Sequence, residues 1–340
     1  MVSSNLIAVV GPTASGKSSL AVRLALALGG EVISGDSMQI YKGMDIGTAK
    51  VTAYERCGIP HHLLDLREPS ESFSAAEYQV LARQAAQEIL NKGKTPILAG
   101  GTGLYIDSAL YNYTYTEEDT KTPIRETLLA EAKEKGSGAL WEKLKQLDPG
   151  SAEKLHPNDT KRIMRALEYI SIHGKPISEN RFAYDAREQM FDMILLGLDL
   201  PRDLLYQRID SRVDLMMEAG FLDEVRTLQD QGLRPDSQAG QAIGYKQLLC
   251  YLRQEGQDIS LDQAVGSIKQ ESRRYAKRQL TWFRRNKSII WLDASKTLED
   301  DASEKMAEML RESFAYEDSG DRASCVVDFV RRQGLFCSEE

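Results

Sequence analysis

Histidine and cysteine are scarce in this sequence, four of each among 340 residues. No Cys-x-x-Cys pair occurs, which excludes a structural zinc site of the usual ligand spacing. Cys57, Cys250, Cys325 and Cys337 are scattered without a pairing pattern, which fits reduced thiols in a cytoplasm rather than a disulfide framework. His61 and His62 are adjacent, so a strand would turn them to opposite sides. Packing or hydrogen bonding is therefore expected of them, not metal ligation. No apolar run approaches the length of a membrane span, so no membrane partner is expected. Met1-Val2-Ser3-Ser4-Asn5 leads straight into the first strand-like run, and no secretory leader is expected. Internal repeats and low-complexity segments are missing too. So is a positive balance: the formal net charge is −8, which argues against a nucleic-acid partner until its distribution is considered.

What is present begins with residues 11–18. Gly11, Pro12, Thr13, Ala14, Ser15, Gly16, Lys17 and Ser18 fit G-x-x-x-x-G-K-[ST], the loop that cradles a di- or triphosphate. The context fits as well. Leu6-Ile7-Ala8-Val9-Val10 is a short apolar run before the loop, and Ser18 to Leu28 has helical spacing after it. Gly11 and Gly16 permit backbone conformations that aim successive N–H groups inward, and the new helix adds its positive end. Lys17 supplies a point charge, and the Ser18 hydroxyl is placed to hold Mg²⁺.

Two more strand–loop–helix units follow. Glu31 to Ser34 reads as a second strand ending at Gly35-Asp36-Ser37, and Met38 to Lys50 is a glycine-punctuated loop too long for a mere connector. Ser74 to Glu77 is a capping box that opens a helix running to about Asn91. Thr95 to Ala99 is a third strand, ending at Gly100-Gly101-Thr102-Gly103. Three such units predict an α/β fold, a P-loop NTPase-like, doubly wound parallel sheet with ligands at the carboxyl ends of its strands. From Glu117 helical segments follow one another until Met193 to Leu198, where the sheet resumes. We therefore expect a core over 1–116 and 190–314, a helical insertion domain over 117–189, and a loosely ordered C-terminal tail over 315–340, polar and weakly patterned except for Cys325–Arg332.

The charge is unevenly spread. Between Glu299 and Asp321, nine acidic residues face Lys305 and Arg311, a local −7. Between Lys269 and Lys287, eight basic residues face Glu271, a local +7. Arg273, Arg274, Lys277, Arg278, Arg284 and Arg285 recur at helical spacing, with Tyr275, Trp282 and Phe283 among them. Such a run suits phosphates and stacked bases, although Trp282 and Phe283 could equally be core. Lys161, Arg162 and Arg165 form a smaller basic group on a helix opened by His156-Pro157-Asn158-Asp159. Asp36 has three open readings: a magnesium ligand through water, a proton acceptor, or a turn residue. Arg208 and Arg212 lie one helical turn apart.

The chain resembles the bacterial tRNA dimethylallyltransferases, or tRNA isopentenyltransferases. The resemblance rests on GPTASGKS at 11–18, SGDSMQIYKGMDIGTAK at 34–50, PHHLLD at 60–65, GGTGLY at 100–105, HPNDTKRIMRALE at 156–168, QAIGYKQ at 241–247 and RRYAKRQLTWFRR at 273–285. Gly35 and Met38-Gln39 stand where many members carry other small or apolar residues. Residues 315–340 exceed the usual bacterial length, and the zinc finger of some eukaryotic members is absent.

The resemblance implies transfer of a dimethylallyl group from its diphosphate to N6 of the adenosine on the 3′ side of the anticodon. By the same resemblance Asp36 takes the N6 proton, Lys17, Thr13 and Arg208 act on the diphosphate, and Ser37, Met38, Gln39 and Thr102 hold the adenine. Arg212 could add charge beside Arg208. Lys161, Arg162, Arg165, Arg273, Lys277 and Arg278 would grip the anticodon stem-loop, Mg²⁺ would be the cofactor, and the enzyme would be a cytoplasmic monomer. The readings that compete are a P-loop small-molecule kinase with Arg208 and Arg212 as lid arginines, and a non-catalytic RNA-binding module.

Overall fold

A computed structural model describes residues 5–113, 115, 123–180, 188–253, 259–298, 300–314 and 319–335. The chain divides into one unit of residues 1–113 with 188–340 and a second of residues 114–187. The insertion boundary expected at 117 lies outside the described residues, as does Cys337.

The first unit is built on a six-stranded parallel sheet. In chain order its strands are β1 (Asn5–Val10), β2 (Glu31–Ser34), β3 (His61–His62), β4 (Pro96–Gly100), β5 (Asp192–Asp199) and β6 (Ile289–Asp293), arranged β3-β2-β4-β1-β5-β6. β1 thus lies inside the sheet, between β4 and β5. Its side chains alternate: Leu6, Ala8 and Val10 enter one core cluster, Ile7 and Val9 the other. Both faces must therefore be covered, which explains the nearly unbroken apolar strands.

Helix α1 (Lys17–Leu28) follows β1 and packs Leu20, Ala21, Leu24 and Ala25 onto the face of Ile7 and Val9. On the other face lie α2 (Ala75–Asn91), opened by the expected Ser74–Glu77 capping box, and α3 (Gly103–Leu110). Both histidines have hydrogen-bond partners: His61 Nδ1 sits 2.9 Å from the Ile59 carbonyl, and His62 Nε2 sits 2.8 Å from Glu31. Burial alone would raise the Glu31 carboxyl, but hydrogen bonds from Lys94, His62 and Lys92 outweigh it and hold the group at about 2.

The second unit holds α4 (Pro123–Lys135), α5 (Ser137–Leu147), α6 (Pro149–Ala152) and α7 (Thr160–His173), without a named strand among the described residues. Its own core gathers Leu128, Leu140, Leu144, Ile163, Met164 and Leu167. Asp159 caps α7 by accepting from the Arg162 N–H.

After β5 the first unit continues with α8 (Arg202–Glu218), α9 (Phe221–Asp230), α10 (Tyr245–Arg253) and α11 (Leu261–Phe283), then β6, α12 (Ala294–Thr297), α13 (Asp300–Ser313) and α14 (Ser319–Arg332). The tail differs from its expected looseness. Val326, Val330 and Leu335 are buried, α14 packing against α13 and β5, and the Asp293 N–H donates to the Leu335 carbonyl at 2.8 Å. Glu304, Glu308, Glu312 and Asp328 are exposed on helices whose inner sides carry Met306, Leu310, Val326 and Val330, so amphipathic packing outweighs composition. Residues 315–318 and 336–340 of the tail lie outside those described.

Candidate active site

The loop of residues 11–18 leaves the carboxyl end of β1. Gly11 has φ +146°, and a Cβ there would stand 2.5 Å from the Leu198 carbonyl oxygen of β5. Only glycine lets the loop pass so close to the neighbouring strand. Gly16 caps α1 in the left-handed region, with no side-chain cap and no acidic residue in the first turn. The helix N-terminus is thus left for an anion. Lys17 folds back so that Nζ donates to the Pro12 carbonyl at 2.5 Å. Burial and the Arg212 charge push its ammonium down to about 7, against an opposing pull from Asp36.

Beside this loop is a cavity of about 350 Å³. Thr13, Asp36, Ser37, Met38, Arg212, Tyr275 and Arg278 are among its lining residues, with an apolar wall of Ile209, Val213, Met216, Phe221, Ile243 and Ile268. One Asp36 oxygen, Oδ1, accepts the Met38 N–H at 2.8 Å. That is the turn-making bond of an aspartate two residues back. It fixes the carboxylate, and among the described residues no hydrogen bond to Oδ2 is found. Arg212 is held below its usual range by burial, against the fields of Asp36 and Glu55. Tyr275 is pushed up to about 12 by burial and then by Asp36. Cation, carboxylate and phenol thus line one cavity.

Several expected residues stand elsewhere. Arg208 does not line the cavity; Arg212, one turn further along α8, does. Gln39 and Thr102 stand behind the lining. Gln39 Nε2 donates to the Thr48 carbonyl at 3.3 Å, and Thr102 Oγ1 accepts the Ser37 N–H at 3.0 Å. Ser18 is exposed on the first turn of α1.

The basic run is less free than its composition implies. Arg273 pairs with Asp210 at 2.5 Å, Lys269 with Asp214 at 2.6 Å and Arg284 with Asp199 at 2.7 Å, so α8 and β5 supply neutralising carboxylates from far away in sequence. Arg274 pairs with Glu271 at 2.6 Å. Lys277 and Arg278 are exposed. Phe283 is core, and Trp282 donates to Asp107 at 3.0 Å while the Arg285 guanidinium lies 4.2 Å from its ring centre. In the second unit Lys161, Arg162 and Arg165 are exposed on α7, and Arg162 pairs with Asp159 at 3.4 Å.

Sequence reasoning missed Gln279. Its side chain accepts the Thr13 N–H at 2.8 Å and donates to the Gly101 carbonyl at 2.9 Å, joining both glycine loops to α11. It is the buried amide in a basic run, four residues after Tyr275, and that was its only signal. The 241–247 stretch carries no chemical motif of its own, yet Gln241, Ala242, Ile243 and Tyr245 line the cavity.

The sequence matches the IPP transferase family over residues 39–286. It is 49% identical over 300 residues to the tRNA dimethylallyltransferase of Bacillus subtilis (strain 168), covering 88% of this chain and 94% of that protein. It is 49% identical over 311 residues to that of Geobacillus thermodenitrificans (strain NG80-2), covering 92% and 95%. Among solved structures it is similar to the full-length tRNA isopentenylpyrophosphate transferase of Bacillus halodurans, with TM-score 0.65, 42% identity and coverage of 91% of this chain and 99% of that one. It is also similar to a eukaryotic dimethylallyltransferase acting on tRNA, with TM-score 0.76, 31% identity and coverage of 92% and 79%.

Proposed function

The chain belongs to the IPP transferase family, and from that premise we propose that it moves the dimethylallyl group of dimethylallyl diphosphate onto N6 of the adenosine 3′ to a tRNA anticodon, releasing diphosphate. The observation that carries this reading is the cavity itself. Thr13 of the phosphate loop, the half-buried Arg212 and Asp36 line it together with apolar side chains suited to a five-carbon chain.

The loop here grips a leaving group. As the C1–O bond breaks, negative charge builds on the diphosphate, and the loop N–H groups, Lys17 and Arg212 are the donors available to stabilise it. The new bond joins C1 to N6. The arylamine loses one proton as it attacks, and Asp36 is the acceptor, with Oδ1 tied to Met38 and Oδ2 left for N6. The adenine must leave its stack to reach C1. Ser37 and Met38 would contact it from the lining, while Thr102 holds Ser37 and Gln39 holds Thr48. Thr13, within the loop, lines the cavity and would face the diphosphate.

The residues fit magnesium. No cluster of three or more His, Cys, Asp or Glu side chains is found among the described residues. The exposed Ser18 hydroxyl on the first turn of α1 suits an ion that keeps several waters and takes phosphate oxygens. Ser18 would hold it, and the ion would supply neutralising charge to the diphosphate.

Lys277 and Arg278 on α11, and Lys161, Arg162 and Arg165 on α7, would meet the phosphates of the anticodon stem-loop. No helix among the described residues is long and apolar enough to cross a membrane. A cytoplasmic monomer is the setting this reading supports. The test is incubation of the full chain with an anticodon stem-loop and either dimethylallyl diphosphate or ATP. An RNA mass gain of one C5 unit with the first, and no ADP with the second, is the expected result. ADP formation without RNA modification would favour a kinase instead.

A further inference from the structure

We propose that Glu224 and Gln39 are positioning residues for the transfer reaction, holding the cavity-lining residues Gly47 and Thr48 from opposite sides. The inference rests on the transfer reading above and adds to it a specific support for one wall of the site.

Gly47 and Thr48 belong to the long segment between β2 and β3, outside any named helix or strand. Their backbone groups need partners from elsewhere in the chain. Glu224, in the first turn of α9, supplies them. Its Oε2 accepts the N–H groups of Asp45 at 3.0 Å and Ile46 at 2.6 Å; its Oε1 accepts the Gly47 N–H at 3.1 Å and the Tyr245 hydroxyl at 2.5 Å. Four donors fill the acceptor capacity of one carboxylate. The first turn of a helix is also where a negative charge is favoured.

The same segment is held on its other side by Gln39. Nε2 of Gln39 donates to the Thr48 carbonyl, and its Oε1 accepts from Ser34 Oγ at 3.2 Å, at the end of β2. The approach to α9 is close. A Cβ on Gly47 would stand 2.1 Å from the Phe221 ring and 2.7 Å from that of Tyr245, and both rings line the cavity. The wall is thus set by one anion and one amide that do not touch the phosphate loop in the described structure.

Glu224→Gln keeps the shape but turns an NH₂ toward N–H or O–H donors. In single-turnover assays with the full chain, dimethylallyl diphosphate and an anticodon stem-loop, it should slow transfer about 10²-fold, the scale of a misplacement of about 1 Å. Affinity for inorganic pyrophosphate should be unchanged. Gln39→Leu should act in the same direction, and the double variant should be no slower than the slower single one, because both loosen one wall.

Wild-type transfer rates in either single variant would overturn the proposal, as would effects that multiply or a parallel loss of pyrophosphate affinity. If Glu224→Gln does not fold, Gln39→Leu decides alone: slowed transfer with intact pyrophosphate affinity supports the proposal, and unimpaired transfer overturns it. Absence of transfer by the unaltered chain would remove the transfer reading together with this proposal, whereas normal transfer in wild type and variants alike removes the proposal only.

Discussion

The backbone N–H of Thr13 donates to the side chain of Gln279 at 2.8 Å, across 266 positions of sequence. Through that bond α11, which carries Lys277 and Arg278, is fastened to the phosphate loop. Gln279 is 5% exposed, and a Cβ on Gly101 would stand 2.2 Å from its Nε2. The junction is therefore dry and tightly packed. Gln279→Leu would leave the Thr13 N–H and the Gly101 carbonyl without this partner. We expect a stability loss of about 3 kcal/mol, since unsatisfied buried groups cost roughly 1–3 kcal/mol each. Urea denaturation, together with weakened pyrophosphate binding, checks it.

The pH dependence follows from Lys17. Its proton is held only to about 7 in the free protein, because burial and Arg212 both disfavour the charged form. kcat/KM for dimethylallyl diphosphate should therefore fall as pH rises through about 7, where the free enzyme loses that charge. kcat should persist to higher pH, because bound diphosphate favours the protonated lysine. Arg212→Gln removes the like charge and should move the break in kcat/KM upward. A profile flat well into the alkaline range would exclude Lys17 as the neutralising group.

The basic helix separates into two kinds of residue with different expected outcomes. Lys277→Ala should weaken stem-loop binding and reduce the steepness of its salt dependence by about 0.7–0.9, the contribution of roughly one phosphate contact. Arg273 is tied to Asp210, so Arg273→Ala should chiefly lower stability and leave the salt slope in place. Equal effects of both substitutions on the slope would contradict this division.

The tail supports the core. Ending the chain after Phe314 removes Val326, Val330 and Leu335, each buried against the α1 face of the sheet. At about 1.5–3 kcal/mol per buried aliphatic side chain, a loss of about 5 kcal/mol is expected. Denaturant midpoints of the full and shortened chains measure it. Equal stability would mean that α14 contributes nothing to folding.

Much of this was legible in the chain itself, and the reasons are local. The alternation of β1, the Ser74–Glu77 capping box and the glycines at 11 and 16 each impose a short-range geometry that the fold keeps. What was not legible depended on residues brought together from far apart. The pairing of Arg273 with Asp210 and of Arg284 with Asp199 cannot be seen in a +7 run. Nor can the choice of Arg212 over Arg208, which turns on how α8 is rotated against the cavity. Glu224 looks like an ordinary acidic residue in the first turn of a helix, and only the fold shows three N–H groups of residues 45–47 converging on it. The tail misled because its acidic composition masked a spaced set of apolar residues.

The central claim is that Asp36 takes the N6 proton, and Asp36→Asn tests it most directly. Asn keeps the shape and can still accept the Met38 N–H, so the turn should survive. The account expects single-turnover transfer to slow by roughly 10²–10⁴-fold, the range for a lost general base, with stem-loop and pyrophosphate affinities near those of the unaltered chain and no rescue by excess Mg²⁺. Transfer at the wild-type rate, or weak pyrophosphate binding that excess Mg²⁺ restores, would contradict it.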